Sequence, residues 1–402
     1  MEVQLVSDAS DPSDASNSSD ASLRLGDVEA LALQCHPSIR QQRSRVDAAR
    51  GRYVQEGLPF NPALQYQSEE IGNESSSGLH SVSISQQIVT ANKLGIAQQV
   101  EARRVKVQQA QLELIRLRIL SSVRSGFAAA SVSQERFELA KQLVRVAEEA
   151  AETVEELVKA GELSEIAWLQ TRVDVERARI TAENAREQLL ADRRQLAAAM
   201  GLEELPPGNL AGDFDQPLPE QPWEQLGAEI LAQSPEVAAA NEELGRTRWA
   251  LRLACAAVVP NVTAQAGVGV DSATDDPFAV VGVSVPIPIR NRNQGNIRAA
   301  RAEIHAASEA IDITRLSLQR RLANATGRYN VARLRYERLL ETVVPIAQQT
   351  YSLALESFEA GETDFVQLLT AQRTLFNTRL DALSAFGQAK QAAAEIDSLL
   401  VQ

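Results

Sequence analysis

Aromatic residues are scarce in this chain. Phe, Trp and Tyr make up 4% of its 402 residues, so its interior cannot be built around ring clusters. Abundant small and unbranched side chains point instead to closely packed long helices. Only Cys35 and Cys255 are present, too few for a disulfide framework. Three histidines and two methionines leave no Cys/His cluster at metal-ligand spacing. P-loop, GxSxG and HExxH motifs are absent. Nothing in the sequence argues for an enzyme, a metal site or a bound cofactor. No run of 18 apolar residues occurs, so hydropathy gives no transmembrane helix. Positive charge is in deficit: 40 Lys and Arg stand against 53 Asp and Glu, a formal net charge of -13. Phosphate binding needs a basic face, so nucleic acid is not expected as a partner.

The N-terminus shows neither the basic region nor the apolar core of a signal peptide. Residues 1–22 form an acidic Ser/Asp-rich tail in which Ser-Asp-Ala-Ser occurs three times. Such a segment buries nothing and is expected to be disordered.

Beyond the tail the chain is written twice, at an offset near 200. Ala160-Gly161-Glu162 recurs as Ala360-Gly361-Glu362, Gly95 matches Gly295, and Asn61 matches Asn261. Val144, Arg179 and Ala185 match Val344, Arg379 and Ala385. The expected organisation is a first repeat over 23–201, a Pro-rich linker over 202–222, and a second repeat over 223–402. Each repeat reads as a helix, two short strands, a very long helix and a further helix. The leading helices are expected over about 26–58 and 223–259. The strands are expected over about 63–69 and 81–89, then 262–270 and 280–289. Leu112, Ile115, Ile119 and Val123 fall on one helical face, as do Leu139, Leu143 and Val154. Gly161 and Gly361 stand where the helical pattern pauses, as left-handed helix-ending residues do. Ser164 and Thr363 are the expected caps of the helices that restart. Pro345 lies inside the second long helix and should loosen it locally.

Lengths bear on architecture. A helix from about Asn92 to Ala160 would span ~100 Å, which suits a rod better than a globule. The strands alternate. Val82 and Ile84 oppose Ser81, Ser83 and Ser85, while Val281, Val283 and Val285 oppose Gly282, Ser284 and Pro286. Short strands that are apolar on one face and small or polar on the other fit a membrane β-barrel with a wet interior. Four strands are too few to close a barrel, so the edges must be satisfied by further copies. Cys35 and Cys255 lie at opposite ends of equivalent helices, ~30 Å apart in rise, beyond disulfide reach.

This plan resembles the TolC-like outer-membrane efflux proteins, over nearly the whole chain from Leu23. The stretches that carry the resemblance are Phe60-Asn61-Pro62-Ala63-Leu64, the run from Val285 to Gly295, and the two Ala-Gly-Glu turns. The Pro286-to-Gly295 segment is similar to the branch serving heavy-metal pumps of the resistance-nodulation-division class. The resemblance implies a mainly α fold with a small β-barrel part. It implies a homotrimer with a 12-stranded barrel in the outer membrane and a helical tunnel through the periplasm. Ala160, Gly161, Glu162, Ala360, Gly361 and Glu362 would form the tip where a periplasmic adaptor docks. Val82, Ile84, Val281, Val283 and Val285 would face lipid, and energy would come from an inner-membrane pump. Some relatives place carboxylates six and nine residues past the second tip glycine. Here those positions hold Gln367 and Thr370, a departure from that pattern; with Glu165 and Asp364 they are the candidate residues for tip charge or a gate. A periplasmic adaptor or a soluble coiled-coil scaffold is the rival reading, but neither explains two alternating hairpins.

Overall fold

Long runs of Ala, Leu, Gln, Glu and Arg are good helix formers, and helix occupies most of the chain. The computed structural model describes residues 22–72, 78–212, 214, 218–220, 227–228, 230 and 232–399. The elements run α1 (Leu25–Cys35), α2 (Pro37–Gln55), β1 (Ala63–Glu69), β2 (Leu79–Ile88), α3 (Lys93–Lys159), α4 (Glu165–Met200), α5 (Pro235–Ala256), β3 (Val262–Asp271), β4 (Asp276–Ser284), α6 (Gln294–Arg338), a π-helical turn (Leu339–Val343), α7 (Val344–Glu359) and α8 (Phe365–Asp397). The expected tail and the expected helix start at Trp223 lie outside the described residues. Both cysteines are free thiols.

The chain divides into two compact units. One comprises Arg40–Leu114 and Leu231–Leu318; the other comprises Met1–Ile39, Ile115–Ile230 and Gln319–Gln402. Each unit draws on both halves of the sequence.

The first unit carries one antiparallel sheet in the order β1-β2-β3-β4. Tyr66 faces Val82 and Val82 faces Val268, while Leu64 faces Ile84, Ile84 faces Ala266 and Ala266 faces Val281. Directly opposite residues share a face, so these apolar side chains form a single surface. It is open, with Leu64 74% and Val281 82% exposed. Ser83, Ser85, Gln265 and Gly267 occupy the other face, where Gln265 Nε2 donates to Ser83 Oγ at 2.7 Å. The strand β4 begins at Asp276 and ends at Ser284, where the sequence pattern predicted 280–289. Pro286 and Pro288 have no N–H to give, so the ladder stops before them. Val285 therefore lies just outside the strand it was expected to join, exposed together with Ile287 and Ile289.

In the second unit the core combines both halves of the sequence: Val132 packs with Tyr329, Ala332, Tyr336 and Phe386. The Pro-rich segment after α4 is strapped onto this core rather than hanging as a tether. Gln134 exchanges two hydrogen bonds with the Leu210 backbone, at 3.1 and 3.2 Å. Arg193 donates to Gly208 O at 3.0 Å, and the Tyr329 hydroxyl donates to Pro219 O at 2.7 Å. Leu210 and Leu218 are buried.

Three helices are interrupted, the last of them at the expected Pro345. The leading helix, expected without a break over 26–58, is split at His36, whose backbone is extended. Pro37 opens α2, since its ring would clash with the carbonyl one turn back in a continuous helix. The Ser38 N–H donates to His36 Nδ1 at 3.1 Å, which caps the new start. The leading helix of the second repeat, expected over 223–259, starts anew at Pro235 behind Ser234, whose hydroxyl accepts from Glu236 N at 3.2 Å. In the second half, five residues of π-helix stand just before Pro345. A wide turn of this kind absorbs the donor that proline lacks. At the matching place near Arg145, α3 runs through without a break over its 67 residues.

Candidate functional site: two paired helix reversals

The two Ala-Gly-Glu turns are built alike. Gly161 and Gly361 have φ of 80° and 74°, the left-handed conformation in which an ordinary side chain is strained. Gly161 N donates to Val158 O at 3.0 Å and Glu162 N to Leu157 O at 2.9 Å. Gly361 N donates to Phe358 O at 2.9 Å and Glu362 N to Ser357 O at 2.8 Å. This double closure satisfies the last carbonyls of each long helix. No other atom lies within 4 Å of where a Cβ would stand on either glycine, so both turns face open space.

The structure brings the turns together. Val154, Leu163, Ala167 and Trp168 from the first pack in one apolar cluster with Tyr351, Phe358, Phe365 and Leu368 around the second. Phe358 and Phe365 meet with ring centroids 5.6 Å apart. Further from the turns, Arg179 Nη2 donates to Glu148 Oε1 at 2.7 Å, and Arg379 Nη2 donates to Gln348 Oε1 at 2.8 Å. The two contacts sit at the same offset of 200 residues, one charged and one with a neutral acceptor.

The expected charged residues stay at the surface. Ala160, Glu162, Ala360 and Glu362 are exposed, as are Glu165, Asp364, Gln367 and Thr370. Ser164 caps α4, its hydroxyl accepting from Ala167 N at 3.3 Å. The residue capping α8 is Asp364 rather than the expected Thr363, and its side chain makes no capping bond. Glu165 sits in the first turn of α4, where a negative charge complements the helix dipole. The Thr370 hydroxyl is committed to Val366 O at 2.7 Å. No group of three or more His, Cys, Asp or Glu able to hold a metal occurs among the described residues.

A second feature beside the two turns is not captured by the turn motifs. Ile166, Leu169 and Val173 on α4 and Val366 on α8 are apolar and exposed. They line a groove with Thr370, and an Asp174–Arg373 ion pair crosses it. A sequence signal for it exists: 166, 169 and 173 recur at helical spacing, on a face distinct from the buried Thr171, Val175 and Ala178.

Comparison with known proteins fits this geometry. The family of outer membrane efflux proteins matches the chain twice, over residues 29–202 and 226–401. The cobalt-zinc-cadmium resistance protein CzcC of Cupriavidus metallidurans is 29% identical over 371 residues, covering 92% of this chain and 88% of CzcC. Among solved structures, the open state of the Neisseria gonorrhoeae MtrE outer membrane channel superposes with a TM-score of 0.76 at 20% identity, covering 94% of this chain and 88% of that one. CusC superposes with a TM-score of 0.74 at 17% identity, covering 95% and 93%. The two family matches together span most of the chain, which belongs to the outer membrane efflux protein family and is the outer-membrane channel component of a tripartite efflux system, not an enzyme.

Proposed function

We propose that the protein is a passive exit duct that works as a homotrimer. Its sheet would supply four strands to a 12-stranded barrel in the outer membrane. The carrying observation is the sheet itself. Its apolar face is open, and among the described residues β1 and β4 each present an unpaired edge. Bare edges and an exposed apolar surface cannot stand in lipid unless the barrel closes. Val82, Ile84, Val281 and Val283 would face lipid, with Val285 at the margin. The helices would form a tunnel built from two repeats, 23–201 and 223–402, joined by the strap over 202–222.

The paired turns at Gly161 and Gly361 would dock a periplasmic adaptor, which connects the duct to an inner-membrane pump. Two exposed reversals held in one apolar cluster support that role, because they form a single blunt contact surface. Glu162, Glu165, Glu362 and Asp364 would give this surface negative charge rather than form a closed gate. The likeness to CzcC supports a divalent metal ion as cargo. Cell fractionation tests the reading. The protein should stay with outer membranes until detergent is added. Release by salt or carbonate alone would overturn it.

A further inference from the structure

The seam between neighbouring copies is encoded in the contacts already made inside one chain. Two correspondences fix it. Ala63 faces Ser85 in the first hairpin, and Thr263 faces Ser284 in the second. The strand β3 therefore matches β1 at an offset of 200, while β4 matches β2 at 199. Within the chain, β2 pairs with β3, and Ile84 faces Ala266 while Gln86 faces Ala264. The free edges are β4 and β1. Carrying the β2–β3 pairing onto those edges places Val283 opposite Tyr66 and Val285 opposite Leu64.

The two faces of the sheet support the same register independently. Residues directly opposite in a sheet point the same way, and a slip of one residue reverses the whole face. Val283, Tyr66 and Leu64 all belong to the open apolar surface. The transferred register keeps that surface continuous across the seam. A one-residue slip would set Val283 against Gln65 or Gln67 and break it.

A second observation lies below the strands. After β2, Lys93 Nζ donates to Val259 O and, at 2.5 Å, to Asn261 Oδ1, while Thr90 Oγ1 donates to Pro260 O at 2.6 Å. This ties the junction after β2 to the junction before β3. The junction after β4 is held only from its far end, where Asn293 Nδ2 donates to Ala254 O at 2.8 Å, and among the described residues nothing ties it to a junction before a strand. It is two residues longer, since the first helical bond of α3 starts from Asn92 O and that of α6 from Asn293 O. Its extra length carries Arg290 and Arg292, both exposed; their backbones bond the Gln294 side chain, and neither guanidinium has a partner among the described residues. The counterparts of Val259 and Asn261 are Pro59 and Asn61, exposed before β1. Cations stand open on one side; on the other stand the Pro59 carbonyl and the Asn61 side chain, while Phe60 O already accepts from Gln86 Nε2 at 2.8 Å.

We infer that the partner of this edge is a second copy of the same chain, in one defined register. Val283 of one copy lies opposite Tyr66 of the next, and Arg290 and Arg292 meet the Pro59–Asn61 junction of that copy. This rests on the trimeric reading above, and the test separates the two. Cys35→Ser and Cys255→Ser give a background without thiols. Into it go Val283→Cys with Tyr66→Cys, and separately Ser284→Cys with Gln65→Cys. Adjacent pairs alternate between wide and narrow spacing, so at least one of the two suits a disulfide. Mild oxidation in outer membranes should shift most of the chain to covalent dimers and trimers on denaturing gels. Val283→Cys with Leu64→Cys, or with Ser68→Cys, should remain monomeric on the same gels. Cross-linking only at these shifted pairs, or at none while the native trimer persists, would overturn the register and leave the trimer standing. A monomer in the native protein as well as in the thiol-free background would instead sink the trimeric reading. As a second readout, Arg290→Gln with Arg292→Gln should lower the temperature at which the trimer dissociates in detergent, and Arg298→Gln should not. Equal effects would remove the arginines from the seam.

Discussion

Gly161, Gly361 and Gly201 share one left-handed conformation but differ in what surrounds them. Around the first two a side chain would meet nothing within 4 Å; at Gly201 a Cβ would lie 2.8 Å from Pro37 Cδ and 2.9 Å from His36 Cα. Gly161→Val and Gly361→Val should therefore cost only backbone strain, on the order of 1–2 kcal/mol, small against the stability expected of the proposed trimer. We expect the trimer to persist and efflux to fall, because the docking surface is distorted. Full efflux from Gly361→Val, or loss of its trimer, would refute the docking assignment. Gly201→Val should destabilise more than either, measured as thermal unfolding, since a clash adds to the strain. His36 sits against the same turn. Its Nδ1 accepts from the Ser38 N–H, and burial holds its pKa below the usual 6.5. Because the folded value is depressed, the cap's contribution is complete above the unfolded pKa and is lost as pH falls through the folded one. The unfolding midpoint of the native protein should drop more between pH 8 and pH 5 than that of His36→Asn, which keeps an acceptor that does not titrate. Parallel curves would show that His36 does not carry the effect.

At the scale of elements, the alternating strands and the reversals at glycine are legible in the sequence, because both depend on local periodicity and on single residue types. Strand β1 falls at the expected residues, and β2 and β3 within two of theirs. Pro345 announces a disturbance, but not its form as a π-helical turn, which depends on how the whole helix takes up a missing donor. The break at His36 is hidden because apolar spacing continues across it, although Pro37 marks the place. The strap is hidden for another reason. Its partners Gln134, Arg193 and Tyr329 lie up to 110 residues away, and no local pattern announces such contacts. The groove with Ile166, Leu169 and Val173 is masked because α4 already has one buried face. In the sheet, the two faces should respond differently to charge. Val283→Asp places a charge on the open apolar face and should impair membrane insertion, by up to ~2 kcal/mol at mid-depth, where acidic residues cost less than basic ones. Val280→Asp on the opposite face should insert nearly as the native protein does. Equal loss for both, measured as protein recovered in outer membranes, would show that the faces are not distinguished by lipid.

At the scale of the whole molecule, the number of copies is the common consequence. One chain offers four strands, an open apolar face and two bare edges, and the same contacts that join β2 to β3 are available to join β4 to β1 of a neighbour. The net charge of -13 recurs on each copy of the proposed trimer, so its assembly is expected to rest on strand pairing, apolar contact and the local Arg290 and Arg292 contacts rather than on overall charge attraction. Native mass spectrometry of the protein extracted from outer membranes in mild detergent tests this most directly. A single species of three chains is the predicted result. A monodisperse monomer that retains its folded spectrum would contradict it.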